Sequence, residues 1–270
     1  SDGHPNLFFR NFAVIGTLNS EGAHVGGLGG FFRSLGALIR NLEADQVYVV
    51  FDGIGGSNNR KNLIPEYKSG RMNSRITNWE AFDSVEDESN SQIDQITRIA
   101  QYLKTLPVKT VQIDKVEADD VIAYVGEKLS HDKNNKIFIV SSDKDYLQLA
   151  KENLIIYRPI EKKYYTPSTV EEQFGCPAEN FILYKLLMGD SSDKIEGVKG
   201  LGPKKLYKYF PELKNKGLDL EELLNIAEKK LKEHIIYARL LSDPYGLKNK
   251  YKIMDLSKPM IDENDIKYLD

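Results

Sequence analysis

Two hydrophobic rhythms alternate along the first 165 residues. Short apolar runs stand at Gln46-Val47-Tyr48-Val49-Val50-Phe51, Val108-Lys109-Thr110-Val111-Gln112-Ile113, Lys136-Ile137-Phe138-Ile139-Val140 and Leu154-Ile155-Ile156-Tyr157. Runs this short, rich in β-branched and aromatic residues, predict buried strands. Between them, apolar residues recur every three or four positions. That spacing puts Phe31, Leu35, Leu38, Ile39 and Leu42 on one helix face. It does the same for Ile93, Ile96, Ile99, Ala100 and Leu103, and for Val121, Ile122, Val125 and Leu129. Strands separated by helices predict an α/β fold with a mostly parallel central sheet flanked by helices. From Thr166 no further strand is legible. Thr166-Pro167-Ser168 reads as a helix start, and helical patterns fill most of 168–242. The expected division is an α/β core over 1–165 and a helical region over 166–270, without internal repeats. Residues 54–92 form a polar insertion, from Gly55-Gly56-Ser57-Asn58-Asn59-Arg60-Lys61-Asn62 to Glu86-Asp87-Glu88-Ser89-Asn90. An insertion this long is functional, mobile or a solvated excursion.

Composition narrows the class. With 41% hydrophobic residues, 15 Tyr and 11 Phe, the chain can bury a core and is not disordered. No apolar run approaches the ~18 residues of a membrane span. Ser1-Asp2-Gly3-His4 does not open a secretory signal, and the single Cys176 cannot form an internal disulfide. A cytoplasmic monomer that does not engage membranes is expected.

Acids gather where strands end. Asp52 follows Phe51; Glu117, Asp119 and Asp120 follow Ile113 and open a helix; Asp143 and Asp145 follow Val140; Asp190 and Asp193 follow the helix Phe181–Met188. In parallel sheets, sites form beyond the carboxyl ends of strands. Taken singly, Asp119 or Asp143 reads as a helix cap and Asp52 as a turn residue. Taken together, so many carboxylates in one cleft repel one another unless hard cations neutralise them. Four His and one Cys leave zinc poorly supported, so two Mg²⁺ or Mn²⁺ ions are expected. An acid-only two-metal centre suits phosphodiester hydrolysis.

A second constellation is Gly197-Val198-Lys199-Gly200-Leu201-Gly202-Pro203-Lys204-Lys205. Its glycines permit tight turning, Pro203 can open a helix, and Lys199, Lys204, Lys205 and Lys208 supply positive charge. Such an element grips nucleic-acid backbone without reading sequence; the other reading is an ordinary glycine-rich helix connection. The formal charge of −3 becomes +5 when the eight clustered acids are set aside, so an acidic chain is compatible with DNA binding.

These segments resemble the structure-specific 5′ nucleases, the flap endonuclease and 5′-3′ exonuclease family that includes phage enzymes and the 5′-nuclease domains of bacterial DNA polymerase I. Carrying the likeness, in the family's order, are Val50-Phe51-Asp52-Gly53, Pro65-Glu66-Tyr67-Lys68-Ser69-Gly70-Arg71, Val116-Glu117-Ala118-Asp119-Asp120, Ser141-Ser142-Asp143-Lys144-Asp145, Met188-Gly189-Asp190-Ser191-Ser192-Asp193 and the glycine segment. The resemblance implies a PIN-like, resolvase-like α/β core. It also implies that Asp52, Glu117, Asp119, Asp120, Asp143, Asp145, Asp190 and Asp193 hold the metals. Lys68 and Arg71 would meet the scissile phosphate, and the insertion would form a helical arch. The glycine segment would be a helix–three-turn–helix that binds duplex DNA and holds a K⁺ ion, with Tyr67, Gly197, Lys199, Gly200, Gly202, Lys204 and Lys205 at the DNA interface. Asp2-Gly3 and Phe9-Arg10 fit the family's opening without the strand that precedes it there, as in a fragment or a chain with extraneous first residues. Asp2 would be a ninth ligand and Arg10 a DNA contact; Phe8 and Phe9 fit a nucleotide clamp or the core equally. The implied activity is cleavage of 5′-flap or 5′-ended duplex DNA, with RNA–DNA duplexes as a second substrate, in primer removal and repair in a bacterial or phage-infected cell. Two rivals are a PIN-like ribonuclease and a non-catalytic DNA-binding relative.

Overall fold

The computed structural model describes residues 8–14, 16–69, 76–215 and 217–269. In chain order the first elements are α1 (Phe9–Val14), α2 (Gly26–Leu42), β1 (Tyr48–Phe51), α3 (Asn58–Leu63), α4 (Val85–Leu103), β2 (Lys109–Gln112) and α5 (Ala118–Ser130). Then come β3 (Ile137–Val140), β4 (Leu154–Arg158), β5 (Lys163–Tyr165), α6 (Pro167–Phe174), α7 (Phe181–Met188), β6 (Gly189–Asp190) and β7 (Ile195–Glu196). The chain continues through α8 (Pro203–Tyr209), α9 (Leu220–Lys229), α10 (Ile235–Leu240), α11 (Pro244–Met254) and α12 (Glu263–Leu269). It divides into two compact units, Ser1–Gly56 with Arg71–Ala118, and Ser57–Gly70 with Asp119–Asp270. The boundary expected near residue 165 falls inside the second unit.

In the first unit, β1 and β2 pair in parallel, Tyr48 opposite Lys109 through Phe51 opposite Gln112. Their core joins Phe8, Phe12, Phe31, Leu35, Val49, Phe51, Ile99 and Leu103. Helix α2 starts five residues before its apolar stripe becomes readable, because glycines occupy its first turns. A Cβ on Gly27 would stand 2.4 Å from the Phe8 ring, so glycine lets α1 settle on α2. The acidic run at 86–88 is helix rather than loop. Ser84 caps α4 by accepting the Asp87 N–H, and Glu88, only 2% exposed, accepts the N–H groups of Thr77 and Asn78. Ile93, expected on the apolar face, is exposed; Gln95 is buried and bonds His24 O and Leu28 N instead.

In the second unit, β3 and β4 are parallel, Ile137 opposite Leu154, and β5 adds antiparallel beside β4. The expected central sheet is therefore built as separate ladders, β1-β2 and β3-β4-β5. Strands also occur after Thr166, contrary to expectation: β6 and β7 form a two-residue antiparallel pair, too short to show any periodicity. Thr166 caps α6 as expected, with Pro167 at its start. The helical core is centred on Leu183, Leu186, Leu187, Leu206, Phe210 and Leu223. Among the described residues no helix is long and apolar enough to cross a membrane.

Candidate metal centre

The parallel register brings the exits of β1 and β2 side by side, which fixes the first acids. Asp52 leaves β1, and its Oδ1 accepts the Ala118 N–H at 2.8 Å, capping α5. Gln112 donates to the Asp52 carbonyl at 3.1 Å, and Gly53 N–H to Val116 O at 3.0 Å. The strand exits are so close that a Cβ on Gly53 would lie 1.7 Å from Ile113 O, which is the physical reason for glycine after Asp52. Glu117, one residue before α5, is buried. The helix Asp52 caps continues directly into Asp119 and Asp120.

In the second unit the parallel pair β3-β4 ends at a turn built by acids. Asp143 N–H donates to Ser141 Oγ, and Asp143 Oδ1 accepts the Asp145 N–H at 2.8 Å, at the start of the 3₁₀ turn Asp145–Leu149. Tyr146 in that turn donates its hydroxyl to Asp119 Oδ1 at 2.6 Å. The β6-β7 pair presents Asp190, with buried Asp193 in the turn between the two strands. Asp145, Asp190 and Asp193 each offer an oxygen, and these atoms lie within 4.8 Å of one another.

A cation of the protein's own already reaches this cluster. Lys185, buried on α7, is paired with Asp145 and with Asp190 Oδ2 at 2.5 Å. Burial alone would raise the Asp190 pKa, but the Lys185 ammonium and the Ser192 hydroxyl and N–H outweigh it and hold the carboxyl down at about 2. The sequence reading missed Lys185. Its signal was available: a single lysine within the apolar run Phe181-Ile182-Leu183-Tyr184-Lys185-Leu186-Leu187-Met188.

Asp120 is placed differently from the ligand expected of it. Arg60 grips both its oxygens, at 2.5 and 2.9 Å, and Met260 N–H donates to Oδ1 at 3.0 Å. Both partners are sealed from solvent, Arg60 at 2% and Asp120 at 1% exposure. Asp120 is an internal anchor, because its oxygens already carry charge-assisted bonds.

The expected DNA contacts divide as well. Tyr67 is 4% exposed in the helical core, so it is a packing residue rather than a surface contact. Lys68 has φ +52 and its ammonium lies 5.0 Å from the Tyr67 ring centroid. Phe8 is core and Arg10 is exposed on α1. Asp2 and Arg71 lie outside the described residues. After β7, Val198 N–H bonds Leu187 O and Leu201 N–H bonds Val198 O. Gly197 packs against the Met188–Gly189 backbone, and Gly200 takes φ +86. Gly202 precedes Pro203 as the first residue of α8, its carbonyl accepting the N–H groups of Lys205 and Leu206. Lys199, Lys204 and Lys205 are exposed.

Known proteins are similar to this chain in sequence and in fold. A 5′-3′ exonuclease of Aquifex aeolicus is 32% identical over 203 residues, 75% of this chain and 65% of that protein. DNA polymerase I of Bacillus subtilis is 30% identical over 239 residues, 87% of this chain but 25% of the polymerase. The chain thus spans less than two thirds of either relative. In fold it is similar to the bacteriophage T5 D15 flap endonuclease in a pseudo-enzyme-product complex with DNA and metal ions, with TM-score 0.72, 21% identity and coverage of 93% of this chain and 86% of that one. The family model of the 5′-3′ exonuclease N-terminal resolvase-like domain matches residues 2–175, and the chain belongs to that family.

Proposed function

We propose that this chain is a divalent-metal-dependent 5′ nuclease that hydrolyses phosphodiesters of 5′-flap or 5′-ended duplex DNA. The observation that carries the reading is the approach of Asp145, Asp190 and Asp193 to within 4.8 Å in a chain of the 5′-3′ exonuclease family. Like charges this close repel one another unless a cation lies beside them, and the Lys185 ammonium beside Asp190 is one such cation. An oxygen-only donor set fits Mg²⁺ or Mn²⁺. In this reading Asp2, Asp52, Glu117, Asp119 and Asp143 complete the ligand set, while Asp120 holds Arg60. Bound there, the ions supply charge neutralisation and activation of water for phosphodiester hydrolysis.

The chain's own groups have defined work. Lys68 and Arg71 meet the scissile phosphate and stabilise its developing charge. Arg10 contacts the 5′ strand. Lys199, Lys204 and Lys205 around the glycine loop hold the duplex backbone, consistent with binding that does not depend on sequence. RNA–DNA duplexes are the second substrate.

Cleavage of a 5′-flap duplex and of an RNA hairpin, each with Mg²⁺ or with EDTA, tests this. Flap cutting that requires Mg²⁺ is expected. Asp143→Asn should abolish cutting and leave duplex binding nearly intact. Preferential cutting of the RNA hairpin would assign a ribonuclease instead, and binding without cutting a non-catalytic relative.

A further inference from the structure

The glycine loop between β7 and α8 carries its own cations. Arg239, in the last turn of α10, donates from Nη1 to the Lys199 carbonyl at 2.7 Å. Lys250 on α11 donates from Nζ to the Glu196 carbonyl at 3.1 Å. The two carbonyls flank the segment in which Val198 N–H bonds Leu187 O and Leu201 N–H bonds Val198 O. Gly200 lies directly under the guanidinium: a Cβ there would stand 2.7 Å from Arg239 Nη1, at φ +86. The guanidinium thus lies directly against the backbone of the loop.

A monovalent ion at such a loop can be held only by oxygen lone pairs, chiefly those of backbone carbonyls. Two of those carbonyls already face full positive charges on side chains that are covalently part of the protein. These charges compete with the K⁺ expected from the family resemblance for the carbonyls of the loop. We infer that Arg239 and Lys250 are positioning residues that set the glycine loop for duplex binding in place of a bound K⁺. This rests on the reading that the loop binds duplex DNA. A fixed guanidinium and ammonium orient the carbonyls, and through them turn the N–H groups of the loop and the flanking lysines toward a phosphate backbone.

The test has one arm without DNA and one with it. Amide hydrogen exchange at Val198 and Leu201 is compared in KCl and in tetramethylammonium chloride of equal ionic strength. The wild-type protein should show the same protection in both. Arg239→Met/Lys250→Met should lose protection about tenfold in tetramethylammonium and recover part of it in KCl, as local opening becomes easier. Arg239→Lys should restore most of the protection. Duplex affinity should follow the same order, with wild type changing less than about twofold between the salts. Wild-type protection that falls when K⁺ is removed overturns the inference, as does a double variant whose exchange is unchanged. Were the two side chains merely phosphate contacts, their loss would flatten the salt dependence of binding and leave exchange untouched. Failure of the underlying reading looks different: Lys204→Ala/Lys205→Ala would bind duplex like wild type while the exchange results stood.

Discussion

Asp120 and Arg60 meet across 60 positions of sequence, fully enclosed, and neither can be lost without stranding the other. Removing one member of a buried pair leaves an uncompensated charge, which costs about 3–5 kcal/mol. Asp120→Asn is therefore expected to lower unfolding stability by several kcal/mol in urea titrations; unchanged stability would return Asp120 to the list of metal ligands. Sequence alone does not distinguish the two placements, for a physical reason. An acid following another acid at a helix start looks the same whether it faces an ion or an arginine, and only the fold says which. Asp143 and Asp190 close Asx turns that span two residues, a placement local enough for a sequence to show. The burial of Tyr67 is not legible, since it depends on helices brought from elsewhere in the chain. For Lys68, a role at the scissile phosphate means that Lys68→Ala slows single-turnover cleavage by at least about tenfold with little change in duplex Kd. An unchanged rate would remove that role.

At the scale of elements, the parallel pairs β1-β2 and β3-β4 end at Asp52 and at the Asp143–Asp145 turn, while the antiparallel pair β6-β7 carries Asp190. Strands β1 to β4 and most helices were readable, because their hydrophobic runs are long enough to show a period. What escaped was short or glycine-rich: the two-residue pair β6-β7 that presents Asp190, the strand β5, and the first turns of α2. In each case glycine or brevity removes the pattern while the packing still specifies the element. Gly53 gives the clearest test. Gly53→Ala puts a methyl group against the Ile113 carbonyl and forces the exits of β1 and β2 apart. A loss of about 2–4 kcal/mol is expected from such backbone collision, measured by thermal or urea unfolding, with activity falling alongside. An alanine variant as stable as wild type would show that the strand exits are not in that contact.

Across the whole molecule, a buried cluster in the second unit ties stability to alkaline pH. Burial pushes the Cys176 thiol up to about 11, with Glu171 adding to the shift and the Tyr207 hydroxyl opposing part of it. Burial likewise raises Tyr184 and Tyr207, and Cys176 raises both further. The protonated forms are favoured in the folded state, and the contribution of Cys176 is complete below the ordinary thiol value of 9.0 and is lost as pH rises through about 11. Urea unfolding at pH 8 and pH 10.5 should show that loss, reduced in Cys176→Ala; equal stability at both pH values would contradict it. Cys176 should also resist thiol reagents at pH 8 until the protein unfolds.

The proposed function depends on the acid cluster acting through divalent ions on a 5′ strand. Cleavage of a 5′-flap duplex measured against Mg²⁺ concentration, for wild type and Asp190→Asn, addresses it most directly. Wild type should be silent in EDTA and rise with Mg²⁺ to products bearing 5′-phosphates and 3′-hydroxyls, while Asp190→Asn stays at least about a hundredfold lower with duplex binding retained. Cutting that persists in EDTA, or that survives Asp190→Asn undiminished, would contradict it.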